Sequence, residues 1–271
     1  MRPPEYKFML KKYLRTYKVF VENAFSYEAQ YRQETFMKLF TNLLYIWMLF
    51  VIIDVIFNRT TNIAGWTKEY IYLMSVLWVI MDELFIFLFR ENFFNLSLRM
   101  NKGDLDVILT KPINPLFYST TKQLLSRAFY RFILQLFILW FVIIHYKIQF
   151  TLIGFLLVIP LLLIGIWIIY SLSLIGNTLS FWLIKIDNVN DAVSTVNTLG
   201  RFPLNLWPRT LKIIFLSAIP IAFTAYIPVA TLTGRWPWYG ILYAFLFAGL
   251  LFYIAVKFWN FALRRYSSAS S

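Results

Sequence analysis

Asp82 and Glu83 stand side by side inside an apolar run covering roughly residues 70–90. A carboxylate at the centre of a membrane helix costs roughly 2.5–3.5 kcal/mol on insertion scales, so such groups face a partner or a wet cavity. Arg127 and Arg131 lie one helical turn apart at the start of a later apolar run. They are the candidates to pair with Glu83 or Glu91, provided the two runs are neighbours. Two readings of Asp82, Glu83, Arg127 and Arg131 stay open. They are a polar feature of a pathway or gate, or an ion pair that fixes how helices pack.

Other chemistries are restricted by the inventory. There is no cysteine and a single histidine, His145. Disulfides, zinc–thiolate sites, iron–sulfur clusters and cysteine nucleophiles are thereby excluded. An HExxH metalloprotease needs two histidines. A Ser–His pair would have to use His145, which closes the run Ile143-Ile144-His145-Tyr146-Lys147 and reads as an interface residue. No G-x-x-x-x-G-K-[ST] loop occurs, so ATP hydrolysis by that device is absent from this chain.

The elements that hold these residues follow from hydropathy. The 271-residue chain is 60% hydrophobic and 14% charged. Soluble domains are roughly 45–50% apolar and about 25% charged, so the excess points to a membrane. The apolar residues fall into blocks at about 36–57, 70–90, 128–147, 151–184, 211–229 and 240–260. A span needs about twenty residues. The expectation is an all-α membrane protein with six transmembrane helices. The fourth block is about 50 Å long as a helix, too long for one simple crossing. It either extends beyond the bilayer or breaks, with Gly165 and Gly176 as candidate break points. Pro220 and Pro228 fall inside the fifth block, where neighbouring helices can satisfy the freed backbone groups. Asp54, near the end of the first block, is expected among headgroups, and Asn58-Arg59-Thr60 matches a glycosylation pattern that is frequent by chance.

Before the first block, residues 1–35 are charged and lack an early apolar region, which speaks against a cleavable signal peptide. Leu10, Tyr13, Leu14, Tyr17, Phe20 and Val21 recur at helical spacing among lysines and arginines. This predicts an interfacial amphipathic helix, with a soluble stub packed on its own protein as the alternative. The expected organisation is this N-terminal segment (1–35), one transmembrane domain (36–260) and a short tail (261–271).

The formal charge of +13 would suggest nucleic acid on a soluble chain. Here its placement matters more. With the N-terminus inside, 22 of the 26 Lys and Arg residues fall in inner segments, and only Arg59, Lys68, Lys147 and Arg235 fall outside. The positive-inside bias predicts an even number of crossings, cytoplasmic termini and contact with anionic lipid rather than nucleic acid.

The segment 91–126 is the long cytoplasmic loop. Gly103 permits a turn, Asp104 can cap a short helix over 105–110, and Pro112 biases Lys111 out of it. Leu105, Ile108 and Leu109 then share one side, the pattern of a helix that docks in a groove, with an ordinary surface loop as the alternative.

The run Lys102-Gly103-Asp104-Leu105-Asp106-Val107-Ile108-Leu109-Thr110-Lys111-Pro112-Ile113-Asn114-Pro115 resembles the cytoplasmic loop of bacterial ABC-2-type transporter permeases. So do Arg201-Phe202-Pro203-Leu204-Asn205-Leu206-Trp207-Pro208, Ile219 to Phe223, Tyr226 to Ala230 and the ending from Phe258 to Ser271. None of these motifs is catalytic; their order along most of the chain carries the resemblance.

The resemblance implies a membrane subunit of an ABC exporter in a bacterial inner membrane. Two permease subunits, identical or different, would form the pathway, and an ATPase dimer on separate chains would bind ATP and Mg. This chain would hold no cofactor and no catalytic residue. Gly103, Asp104, Leu105, Asp106, Ile108, Leu109, Lys111 and Pro112 would form the coupling helix that docks the ATPase, and the N-terminal helix would be the elbow helix. The resemblance does not identify the substrate; an apolar, aromatic-rich pathway would suit a hydrophobic or amphipathic one. The resemblance leaves open whether the fifth element is one helix or a broken, partly re-entrant pair. A non-transporting scaffold and a membrane-embedded enzyme are the competing functions.

Overall fold

The computed structural model describes residues 5–102, 105–182 and 189–265. Gly103, Asp104, Asp187, Asn188 and the tail from Tyr266 lie outside the described residues. All regular structure among the described residues is helical. In chain order the helices are α1 (Glu5–Glu28), α2 (Arg32–Phe57), α3 (Lys68–Phe85), α4 (Glu91–Lys102), α5 (Leu105–Leu109), α6 (Pro115–Thr121), α7 (Ser126–His145), α8 (Leu152–Thr178), α9 (Val189–Thr198), α10 (Arg209–Leu216), α11 (Tyr226–Leu232) and α12 (Gly240–Arg265).

Five stretches are long and apolar enough to cross a membrane: Arg32–Phe57, Lys68–Leu96, Ser126–His145, Leu152–Phe181 and Gly240–Arg265. The second differs from the rest. Its apolar window is 78% buried, against 17% for α7 and for α12. A helix that is apolar all round and surrounded by others is a core helix. So α3 is the axial element, and α2, α7, α8 and α12 around it carry exposed apolar side chains.

Two ends can be told apart. The connections after α2, α7 and α11 meet at the far end: Arg235 Nη1 donates to the Gly65 carbonyl (2.9 Å), and Thr151 N–H donates to the Leu232 carbonyl (2.9 Å). There Ala64 (φ 52°) and Gly65 (φ 85°) form the two left-handed positions of a tight turn. The opposite end holds α1, α4, α5 and α6, and the last turns of α8 and α12, where Phe181 meets Trp259.

α8 does not break at either expected glycine. It stays helical from Leu152 to Thr178, with Pro160 inside, and continues as a 3₁₀ turn to Phe181. Gly154 and Gly165 serve close approach instead. A Cβ on Gly154 would lie 2.5 Å from the Thr231 carbonyl oxygen, and one on Gly165 would lie 2.9 Å from that of Phe223.

The expected fifth span, 211–229, is not a single helix. Pro220 lacks an N–H and disfavours helix at Ile219, so α10 ends at Leu216. Pro228 is tolerated because it lies in the first turn of α11. The chain from the end of α8 to the far end instead runs in pieces. α9 begins where Asn190 contacts Asn177 and the Phe93 carbonyl, and it rises until Asn197 meets Trp78 in mid-α3. Gly200 then packs on Ile221 and Thr224. Residues 201–216 loop out, and α11 resumes the path to Gly154 at the start of α8. Five long helices and this discontinuous segment replace the expected set of six.

The glycine contacts yield a stability test. Gly154→Val should lower stability by about 1–3 kcal/mol, the usual cost of overpacking. Gly249→Val, where a Cβ meets nothing within 4 Å, should leave the thermal midpoint of the detergent-solubilised protein unchanged.

Candidate functional site: a buried polar network above a clamped loop

Asp82 and Glu83 are adjacent, and successive helical residues point about 100° apart. The two carboxylates therefore serve different neighbours. Glu83 turns toward α2 and α7. Its Oε2 accepts from Arg131 Nε at 2.9 Å, and its Oε1 accepts from Asn42 Nδ2 at 3.0 Å. Asn42 Oδ1 in turn accepts from Gln135 Nε2 at 2.7 Å. Only 7% of the Glu83 side chain and 15% of that of Arg131 are exposed, so the charges are mutually neutralised out of water. The network joins α2, α3 and α7 in the apolar layer.

Asp82 turns toward α9. It accepts from Asn197 Nδ2 at 3.3 Å, and Trp78 Nε1 donates to the Asn197 carbonyl at 2.8 Å. Arg90 donates to Ser194 on the same helix. Arg127 does not join this network. It pairs with Glu34 in the first turn of α2, which is nearer the helix ends. Arg201, expected in an inner segment, sits beside mid-α2, where its Nη1 donates to the Tyr45 hydroxyl at 3.2 Å. Asp54 is held by Lys68 and Tyr72 at the far end. His145 stacks on Phe141 (5.2 Å) and meets Tyr146 edge-on (4.8 Å), as an interface side chain would.

Beneath the network, α3 passes into α4 through a π-helical turn, Ile86–Arg90. A π turn displaces one carbonyl from the α ladder. The Phe87 carbonyl accepts from Leu125 N–H at 3.1 Å, which anchors the start of α7. One turn on, Asn92 clamps the loop closed. Its Nδ2 donates to the Gln123 carbonyl (2.6 Å), and its Oδ1 accepts from Gln123 N–H (2.8 Å). The Gln123 side chain accepts from Asn95 and Arg99, both at 2.9 Å.

α5 forms where the sequence places a short helix; Gly103 and its capping residue Asp104 lie outside the described residues. Asn114 caps α6, accepting from Leu116 N–H (2.9 Å) and Phe117 N–H (3.2 Å), with Pro115 in the first position. The orientation of α5 differs from the expectation. Leu105 and Ile108 face inward and pack with Met81, Phe85, Phe93 and Leu96. They are closed to a partner. Val107 is 61% exposed and Leu109 41% exposed, and Thr110, Lys111 and Pro112 are exposed with them. The apolar side of this helix is the protein's own core, and its exposed side is the mixed one.

α1 braces this tip. Lys12 donates to the Pro112 carbonyl, Asn114 N–H donates to the Tyr13 hydroxyl at 3.2 Å, and Tyr13 meets Phe117 edge-on at 4.9 Å. Tyr17, Phe20, Val21, Ala24 and Phe25 pack on Ile86, Phe87, Leu124 and Ala128. Leu14, grouped with them by spacing, is exposed instead. The helix thus covers its own protein on one face and presents another outward.

Sequence reasoning missed Asn42, Asn92, Gln123, Gln135 and Asn197. Each is a neutral amide, which a search for charges passes over; Asn42 and Gln135 lie inside apolar runs, Asn92 and Gln123 near the ends of others, and Asn197 in the stretch between the fourth and fifth.

Breaking the ion pair from one side leaves a buried charge, which costs about 3–5 kcal/mol in soluble cores. Glu83→Gln and Arg131→Met should each lower thermal stability in detergent. The double substitution should recover much of the loss, as a double-mutant cycle will show.

A search of characterised proteins and of solved structures returns no match. The model of the ABC-2 family transporter protein matches residues 43–270. That range takes in the polar network apart from Asn42, the loop, the discontinuous segment and α12, and the chain belongs to this family of multi-pass membrane transport subunits, which associate with an ABC ATPase.

Proposed function

We propose that this chain is the permease subunit of an ABC exporter that moves a hydrophobic or amphipathic substrate, with ATP and Mg held by a separate ATPase dimer. The observation that carries the reading is the tip at α5. An isolated five-residue helix would not hold its shape in water. Here it is fixed by Leu105 and Ile108 below, by the Asn92–Gln123 clamp behind and by α1 alongside. A rigid knob with an exposed mixed face is what a contact that passes force from a motor domain requires. Asp106, Val107, Leu109, Lys111 and Pro112 form that knob; Gly103 and Asp104 lie outside the described residues.

The concentration of Lys and Arg on α1 and on the segment from α4 to the start of α7 supports placing this end, with both termini, in the cytoplasm. The membrane would be a bacterial inner membrane, its anionic lipids lying against α1. A second permease subunit, identical or different, would complete the pathway and cover part of the exposed apolar surface of the bundle.

Val107→Asp and Leu109→Asp alter the knob without touching its core. Each should reduce stimulation of the partner ATPase by about tenfold or more, the effect of losing a hot-spot side chain. Membrane insertion and thermal stability should stay normal. Leu105→Asp should instead destabilise the permease itself. Normal coupling in both knob variants would remove the motor-docking role and leave the scaffold function in its place.

A further inference from the structure

After Asp191 the sequence contains no Asp or Glu, although seven Lys and Arg residues follow. A cation of this stretch that enters the apolar layer must find its counter-charge elsewhere. Arg201 is such a cation. Its depth is set by α2, where the ion-paired Glu34 and Asp54 mark the two ends. The helix between them is about 30 Å long, the thickness of a hydrocarbon core. Tyr45, whose hydroxyl accepts from Arg201 Nη1 at 3.2 Å, lies close to midway between them.

The carboxylates of this layer, Asp82 and Glu83, are already engaged. Glu83 pairs with Arg131, and Asp82 shares a narrow cleft with Arg90. Among the described residues no ion pair includes Arg201. The ring of Phe202, 4.9 Å from the guanidinium, offsets only part of the charge. One edge of the guanidinium is unused. Nε has no hydrogen-bond partner, and Nη2 makes no bond among the described residues and is open to the surface of a side chain that is itself half-buried. Nε and Nη2 are the two donors with which an arginine grips a carboxylate side-on. A second copy of this chain has no anion to offer at this depth, since its Asp82 and Glu83 are turned inward in the same way. Phospholipid phosphates lie about 15 Å away, half the thickness of the core.

We propose that Arg201 binds the anionic group of the transported substrate, an amphiphile with one carboxylate on an apolar body, in the middle of the apolar layer. This rests on the permease reading above and names the substrate class. The carboxylate meets Nη2 first and shares its edge with Nε. Phe202 and Leu206, exposed next to Arg201 along the chain, give the apolar body a surface to lie on. An intramembrane cation without a partner is costly, and a substrate that neutralises it is bound selectively over an uncharged molecule of the same shape.

The test uses the full-length chain in phosphatidylcholine nanodiscs in mildly alkaline buffer, with 1-pyrenebutyric acid as probe and its uncharged methyl ester as control. Equilibrium dialysis should show the acid binding saturably at one site per chain, and the ester about tenfold more weakly. Arg201→Gln should lower affinity for the acid about tenfold and remove its preference over the ester. Arg201→Lys keeps the charge but loses the fork, so it should hold the preference at reduced affinity. Each variant is first checked for a normal thermal midpoint, and if Arg201→Gln unfolds, the comparison rests on Arg201→Lys. Acid and ester that bind alike, or an acid affinity unchanged in the folded variants, would overturn the proposal. So would loss of self-association in Arg201→Gln with acid binding retained, which makes Arg201 a subunit contact. Binding is read without the ATPase, so its failure counts against this site alone, while the knob variants above judge the permease reading.

Discussion

In hydrocarbon a polar group has no water to fall back on, so each one must find a partner inside the protein. The Glu83–Arg131 pair is where this constraint acts most strongly. Two charges cannot be carried into the apolar layer unless they meet, and they meet only if α3 and α7 are adjacent. Asn42 and Gln135 then fill the remaining valences, and in doing so they bring in α2. The apolar faces of these helices would pack in many registers, since lipid and leucine are equally greasy. The polar contacts select one register. With α3 held on that side, Asp82 must look the other way, and the amide of Asn197 answers it. The position of α9 therefore descends from the placement of a single carboxylate pair.

Much of this was legible in the sequence because the signals are physical. Blocks of about twenty apolar residues read as spans, and four of the six came out as uninterrupted helices close to their expected bounds, with a fifth running on through a π turn. Unpaired charges are so costly there that partners could be sought in advance, Arg127 or Arg131 with Glu83 or Glu91, and of these Arg131 pairs with Glu83. Arg127 could not be assigned: Glu34 lies outside the apolar blocks, so nothing in spacing singles it out as the competing acceptor. The fifth block failed for a related reason. Hydropathy records that residues 211–229 avoid water, and the structure agrees, since Ile221 to Leu232 are almost wholly buried. It does not record whether the surrounding solvent is lipid or protein. Inside protein, a proline-interrupted chain can find other partners, and a continuous helix is no longer required.

The same ambiguity explains α5. The spacing of Leu105 and Ile108 correctly gives a helix with an apolar side, but periodicity is silent about what that side meets. In a short loop helix over an apolar bundle, the nearest dry surface is the protein's own. Phe93 and Leu96 of α4 supply it, and the pair Asn92–Gln123 holds the loop close enough for burial. Only after that face is used does the outward one become available, and it is the less apolar of the two. A mixed outward face avoids the unspecific association that a large exposed apolar patch invites.

The discontinuity between α9 and α11 has a mechanical consequence as well. A continuous helix transmits displacement along its whole length through its hydrogen-bond ladder. Here the ladder is interrupted at Gly200, where a Cβ would collide with the Ile221 carbonyl, so the two pieces touch through backbone contact rather than through shared helical bonds. α9 is tied to α3 by Trp78, Asp82 and Arg90, and to the near end by Asn190 and Asn177. α11 is tied to α8 by Gly154 and to the far-end loops by Thr151. Both pieces lie along α8, α9 against its last turns at Asn177 and α11 against its start at Gly154.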